Sequence, residues 1–254
     1  MINICALASG SNGNCYYIEN EKDAVIVDAG LTFKQILMRL EERFLDPKKI
    51  RALFITHEHG DHIRGARVMS KKLGIPVYMT KGTYTSSFST WKPISYIPIQ
   101  DNIPVQIHSF TIFPILKNHD AAEPTSFRIY HEGFSIGVFT DIGSPCDNVK
   151  SHLKECHGLF LETNYDSRML KEGSYPNYLK ARIDSNVGHL SNRQAYELLH
   201  EHAHTELQCV FLSHLSAENN LPELALKEFS SFEGRCRIMP TDRFAASEIY
   251  TISK

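Results

Sequence analysis

The chain alternates short apolar runs with polar, glycine-bearing breaks, and the spacing of the runs predicts strands joined by helices. Residues 2–7, 15–19 and 24–27 have the length and composition of buried strands. Between 32 and 44 the period changes to that of a helix. Phe33, Ile36, Leu37, Leu40 and Phe44 share one face, and Thr32 with Gln35 forms a capping box at its start. The run Ala52-Leu53-Phe54-Ile55 then predicts another strand, giving the strand, helix, strand order of an α/β layer fold.

A short helix is expected after His62, running to Leu73 and stopped by Gly74 and Pro76. A strand over 76–79 follows, then a helix over 81–88 in which Tyr84 and Phe88 pack, and a loop at Trp91-Lys92-Pro93 with no ligand role for Trp91. Residues 110–115 predict a strand, 125–130 and 134–140 a hairpin, and 158–161 and 208–212 two buried strands. Helices are expected from Asn192 and over 222–229, with short strands near Ile238 and Ile249.

Chemistry gathers where these strands end. Behind Ile55 stands Thr56-His57-Glu58-His59-Gly60-Asp61-His62, which packs four potential metal ligands into six positions. Imidazole nitrogens bind zinc-like ions and a carboxylate adds a hard oxygen donor. Three histidines and an aspartate exceed what one catalytic ion needs beside an open position, so the surplus implies two metals. Asp28, His119, Asp141 and His214 also follow predicted strands, although each alone is equally a turn, cap or surface residue. The loop Ser9-Gly10-Ser11-Asn12-Gly13-Asn14 is either a tight turn or a backbone cradle that approaches a ligand. His189 and Ser191 sit where a helix begins, a position that suits an anion or simply a cap.

Composition narrows the class. The 254 residues suit one large domain or two small ones, and 42% apolar with 22% charged residues describe a soluble globular protein. A formal net charge of −2 excludes nucleic-acid binding by bulk positive charge but leaves room for a local basic patch. Arg168, Lys171, Tyr175, Tyr178, Lys180 and Arg182 form one such stretch, suited to a phosphate backbone with stacked bases and equally to a solvated helix face. Six scattered cysteines without a C-x-x-C pair read as reduced thiols. No secretory signal and no long apolar run is visible, so the expectation is a cytoplasmic protein without a membrane contact. His108, His131, His152, His157, His200, His202 and His204 are read as solvated, without a metal role.

The His-rich stretch matches the H-x-H-x-D-H motif of the metallo-β-lactamase superfamily, and the order Asp28, His57/His59/Asp61/His62, His119, Asp141, His214 resembles its five motifs over nearly the whole chain. The resemblance implies one domain over 1–254 with the α/β, four-layer αβ/βα sandwich fold and the site along one edge. It implies that His57, His59 and His119 hold a first ion, Asp61, His62 and His214 a second, that Asp141 bridges them, and that Asp28 orients the metal loop without ligating. Two zinc or manganese ions about 3.5 to 4 Å apart would lower the pKa of a bridging water, supply hydroxide at neutral pH and neutralise charge on a phosphoryl oxygen.

Glu162 with Gly188-His189-Leu190-Ser191 is similar to the Glu and G-H-S-T elements of tRNase Z, which makes His189 the general acid and Glu162 its orienting partner, beside Asp61 among the catalytic groups. Ala8 to Asn14, Glu162-Thr163-Asn164-Tyr165-Asp166, Gly188 to Asn192 and Ser213 to Asn220 resemble the YycJ/WalJ-type subgroup of 5′-to-3′ exonucleases acting on DNA. That resemblance implies DNA rather than RNA as partner and makes Ser9, Ser11, Asn12 and Ser191 candidate substrate contacts. A cyclic phosphodiesterase, an RNA-processing nuclease and a non-catalytic metal-binding module are the alternatives.

Overall fold

The computed structural model describes residues 1–87 and 96–254. The expected helix end at Phe88 and the loop at Trp91-Lys92-Pro93 lie outside the described residues. Strands β1 (Ile2–Ala8), β2 (Cys15–Glu19) and β3 (Ala24–Val27) pair antiparallel in order. From β3 the sheet continues in parallel through β4 (Ile50–Phe54), β5 (Val77–Met79) and β6 (Ile97–Pro98). A second sheet repeats this plan. Strands β7 (Val105–Ile107), β8 (Phe110–Leu116), β9 (Thr125–His131) and β10 (Phe134–Phe139) are antiparallel, and β11 (Gly158–Glu162), β12 (Cys209–Ser213) and β13 (Arg237–Pro240) follow in parallel. The last strand, β14 (Tyr250–Ile252), pairs antiparallel with β1. Each sheet has seven strands among the described residues.

This pairing decides where the site forms. Strands β1, β3 and β4 run the same way, as do β8, β10, β11 and β12, so their carboxyl ends emerge along one edge of each sheet. Ligands of open α/β sheets bind at that edge, where side chains leave the ladder.

Alternation along the strands builds the layers. In β1, Ile2, Ile4 and Ala6 face a core between the sheets, whereas Cys5 and Leu7 face outward into a second one. Phe54, Phe127, Phe160 and Phe211 fill the inner core, and Phe54 meets Phe127 across the sheets at 5.4 Å between ring centres. Helices α1 (Phe33–Glu42), α2 (Gly60–Ile63), α3 (Ala66–Leu73) and α4 (Lys81–Ser87) follow in the first half of the chain. Ile36 and Leu40 of α1 and Met69 of α3 cover the outer face of the first sheet. The second half contributes α5 (Asp147–Leu153), α6 (Ser167–Glu172), α7 (Asn177–Ile183), α8 (Asn192–His202) and α9 (Pro222–Glu228). Val149, Leu198 and Ala225, from α5, α8 and α9, cover the second sheet. Helix, sheet, sheet, helix is the αβ/βα sandwich. Among the described residues no helix is long and apolar enough to cross a membrane.

Three local expectations are corrected. Helix α1 has the capping box on Thr32 and Gln35, but it stops at Glu42, and Phe44 takes a left-handed conformation (φ 55°) that swings its ring out of the core to 97% exposure. The single helix expected up to Leu73 is two, α2 and α3, separated at Gly65. A β-carbon on Gly65 would stand 2.2 Å from the carbonyl oxygen of Leu31, so the chain must pass that turn closely and bends there. His131 and His157 are buried rather than solvated: the hairpin packs His131 on Phe110, and the Nδ1 of His157 accepts the Ser135 N–H.

Candidate metal centre

Three strand ends turn abruptly. Asp28 follows β3, Asp141 follows β10 after Thr140, and His214 follows β12, with φ of 61°, 54° and 58°. Non-glycine residues rarely adopt this left-handed region, and its cost of about 1 kcal/mol or more each is borne where surrounding contacts fix the backbone. Here the turn aims each side chain off the sheet edge toward one point. The His-rich loop is pressed onto that edge by Gly30, where a β-carbon would lie 1.6 Å from the Asp61 carbonyl oxygen.

Asp28 is fully buried and holds the loop from below. Its carboxylate accepts the Thr56 N–H and the Thr56 hydroxyl, both at 2.8 Å, and His62 Nδ1–H at 2.7 Å. Thr56 Oγ1 in turn accepts from His57 Nδ1 at 2.9 Å. These bonds engage Nδ1 of both rings and leave Nε2 as the nitrogen turned toward the site, the tautomer a metal ligand requires.

The ligand atoms of His57, His59 and His119 lie within 4.8 Å of one another. His57 Nε2 is 3.0 Å from His59 Nδ1, and His59 caps α2 without using its ring. His119 donates Nδ1–H to the Gly188 carbonyl at 3.0 Å, which leaves Nε2 free. Burial pushes the His57 imidazole well below its usual range, reinforced by His62, and burial takes His119 down to about 3. The imidazoles of His57 and His119 are therefore neutral at neutral pH, each with a lone pair available to an ion.

Asp61, His62 and His214 form a second group on the same 4.8 Å criterion, and His57, His62 and Asp141 a third that joins the two. Asp141 Oδ2 is 3.4 Å from His62 Nε2, and its Oδ1 is 3.9 Å from His119 Nε2 and 3.2 Å from His214 Nδ1. Burial disfavours charge on His62, but Asp28, Asp141 and Asp61 outweigh it and raise this imidazole well above its usual range. His214 is likewise raised to about 10, burial being outweighed by Asp141, Asp61 and Glu162. Burial would raise the carboxyls of Asp61 and Asp141, yet the surrounding histidines hold both well below the usual carboxylate range.

Divalent ions fit this donor set. His119 Nε2, His214 Nε2 and Asp141 Oδ2 are buried with no hydrogen-bond partner, a condition native proteins avoid unless something else satisfies such atoms. Imidazole and carboxylate donors suit zinc or manganese.

Glu162, at the end of β11 and fully buried, links the candidate ligand groups to His189. Its Oε1 accepts His189 Nδ1–H at 2.8 Å and His214 Nδ1–H at 3.0 Å, while Oε2 accepts the N–H groups of Ile142 at 2.7 Å and Leu190 at 3.2 Å. Burial opposes its charge, but His189 and His214 prevail and lower its carboxyl to about 2. His189 borders a cavity of about 190 Å³, which is also lined by Ser11, His119, Asn164, Tyr175 and Arg182.

The four residues expected at the substrate divide. Ser11 and Asn12 are exposed on the loop between β1 and β2. Ser9 is buried, its hydroxyl bonded to Tyr16 and accepting the His214 N–H at 2.8 Å, so it positions a candidate ligand instead of facing solvent. Ser191 is buried as the N-cap of α8, in a capping box with Gln194, and its hydroxyl is used there. Sequence reasoning passed over Asn14, whose amide nitrogen is 3.1 Å from His62 Nε2 and 3.4 Å from Asp61 Oδ2, and Lys117, buried and donating to the Thr140 carbonyl at 2.5 Å. A polar residue closing a Gly/Ser loop was the sequence signal for Asn14, and its burial comes from the fold.

A sandwich of two mixed sheets with these donors at one edge is the architecture of a metal-dependent hydrolase, and the chain belongs to the metallo-beta-lactamase superfamily, whose family model matches residues 8–214. It is 34% identical over 229 residues to exodeoxyribonuclease WalJ of Streptococcus pneumoniae serotype 2 (strain D39 / NCTC 7466), covering 86% of this chain and 83% of that protein. It is 31% identical over 230 residues to exodeoxyribonuclease YycJ of Bacillus anthracis, covering 88% and 86%. The metallo-beta-lactamase fold protein YhfI from Bacillus subtilis superposes with a TM-score of 0.75 at 17% identity, covering 97% of this chain and 98% of that one, a likeness of fold.

Proposed function

We propose that this protein is a dinuclear-metal-dependent 5′-to-3′ exonuclease acting on DNA. His57, His59 and His119 would hold one ion, Asp61, His62 and His214 the other, and Asp141 both. Ions so held supply an activated water and neutralise charge on the phosphoryl group. The protein's own groups do the rest. Asp28 and Thr56 set the tautomers of His57 and His62, and Glu162 fixes His189 with Nδ1 occupied, so that Nε2 carries the proton delivered to the departing 3′ oxygen. The carboxylate of Glu162 stabilises the charged imidazole before that transfer.

The observation that carries this reading is the Glu162–His189 pair, because a simple metal-binding module has no use for a hydrogen-bonded acid beside the ligands. DNA as the polymer is supported by the names of the two exodeoxyribonuclease relatives. The test is polarity. Duplex DNA labelled at either end is incubated with manganese and the products are resolved by length. Immediate release of short product from the 5′ label, with the 3′-labelled strand shortening stepwise, supports the reading. Stepwise shortening of the 5′-labelled strand, or cleavage at internal sites first, contradicts it.

A further inference from the structure

The Ser9–Asn14 loop has a second side. Ser11 lines the cavity next to His189, and it also lines another cavity of about 320 Å³ bordered by Asn12, Gln35, Arg39, Arg64, Arg243 and Phe244. Three guanidiniums separated widely in sequence thus meet behind the loop. Arg39, only 5% exposed, donates Nη1–H to the Leu7 carbonyl at 2.6 Å and Nη2–H to the Arg243 carbonyl at 3.1 Å, and its Nε is buried without a partner. Arg243 donates to the Leu215 carbonyl at 2.8 Å, and Arg64 to the Asn12 carbonyl at 3.4 Å.

All of those acceptors are neutral carbonyls. Among the described residues no carboxylate lies within 4.0 Å of any of the three guanidiniums, and no carboxylate lines the cavity. Glu42 and Asp242 act on Arg39 only at longer range. Asp242 is occupied in a turn, where it accepts the N–H groups of Phe244 and Ala245 at 2.5 and 3.0 Å, and this turn presents the Phe244 ring at 74% exposure beside the arginines. Burying a guanidinium without a counter-charge is costly, and planar guanidiniums match the geometry of phosphate oxygens. Uncompensated arginines next to an exposed aromatic ring are the elements with which proteins hold single-stranded nucleic acid: charge for the backbone and a face for a base.

We propose that this arginine cavity is a backbone-phosphate subsite for the nucleic-acid strand, occupied by a phosphodiester neighbouring the one at the metal centre, with Phe244 stacking on the adjoining base. The proposal rests on the nuclease reading for its ligand. Ser11, shared by both cavities, is where the strand crosses from one to the other. Exposed Arg67 and Lys71, four apart on α3, continue the positive charge beyond Arg64.

The test uses the full metal-loaded protein and a fluorescent single-stranded oligonucleotide with phosphorothioate linkages, which keep the charge and slow hydrolysis. Binding is followed by anisotropy across salt concentrations. Arg64→Glu, an exposed position, is expected to weaken binding by about tenfold or more at low salt and to reduce the slope of log affinity against log salt by about one. Phe244→Ala is expected to weaken it about tenfold with the slope unchanged. Lys22→Glu makes the same charge change in the turn after β2, at the opposite edge, and is expected to bind as the wild type does. Equal losses in Arg64→Glu and Lys22→Glu, or unchanged binding in Arg64→Glu and Phe244→Ala, overturn the subsite. Displacement of the oligonucleotide by a deoxynucleoside monophosphate at equal phosphate concentration overturns the strand assignment. Cleavage of ordinary DNA by the wild type, measured in parallel, judges the nuclease reading separately.

Discussion

Glu162 holds His189 by a 2.8 Å bond from Nδ1 to Oε1, and the same oxygen accepts from His214. One buried carboxylate therefore orients both the proposed proton donor and a proposed metal ligand. The two roles separate on mutation. His189→Ala is expected to lower kcat by about 10²- to 10⁴-fold with the metal content unchanged. Glu162→Gln is expected to lower both kcat and the number of ions retained after dialysis. Equal metal loss in the two variants would contradict the division.

Asp28 acts through Thr56 and His62. Asp28→Asn preserves the side-chain volume and tolerates the left-handed backbone, but it removes the charge that fixes His62. Metal affinity at the Asp61, His62 and His214 group should fall about ten- to hundredfold. Titration with a chromophoric chelator measures this, and unaltered affinity would show that Asp28 does not orient the ligands.

Acid should strip the two ions in sequence. His62 and His214 are raised, so protons compete with metal for them already at neutral pH, whereas His57 and His119 are lowered and stay unprotonated until the solution is far more acidic. As pH falls from 8 to about 5.5, ions per chain after dialysis should drop from two toward one. The remaining ion should be lost in His119→Ala at the same pH. Simultaneous loss of both ions at every pH would contradict the assignment.

Two phenylalanines should respond in opposite ways. Phe160 is fully buried between the sheets, and Phe160→Ala should cost about 3–5 kcal/mol. Phe44 is exposed and left-handed, so Phe44→Gly should leave stability unchanged or raise it by up to about 1 kcal/mol. The urea midpoints, at constant m, decide.

The strands and the metal-ligand types were legible because apolar runs end in His and Asp, and the Thr32/Gln35 capping box is local chemistry. Phe44 misled because helical spacing continues past the residue at which a left-handed cap ends the helix. Ser9 and Ser191 read as substrate contacts since a hydroxyl in a polar loop looks free until tertiary structure supplies its partners, Tyr16 and His214 for one, Gln194 for the other. Strands β6 and β7 are two and three residues long, too short for any period to register. Arg39, Arg64 and Arg243 are brought together only by the fold.

In the proposed reaction, two ions at this edge act together on DNA. Metal-stripped protein reloaded with zero to two equivalents of manganese, and assayed for nucleotide release from 5′-labelled duplex DNA, tests it most directly. Two cooperating ions should give little release up to one equivalent, a steep rise toward two, and none in Asp141→Ala at any loading. Full activity without added metal, or no release from a sample holding two ions per chain, would contradict it.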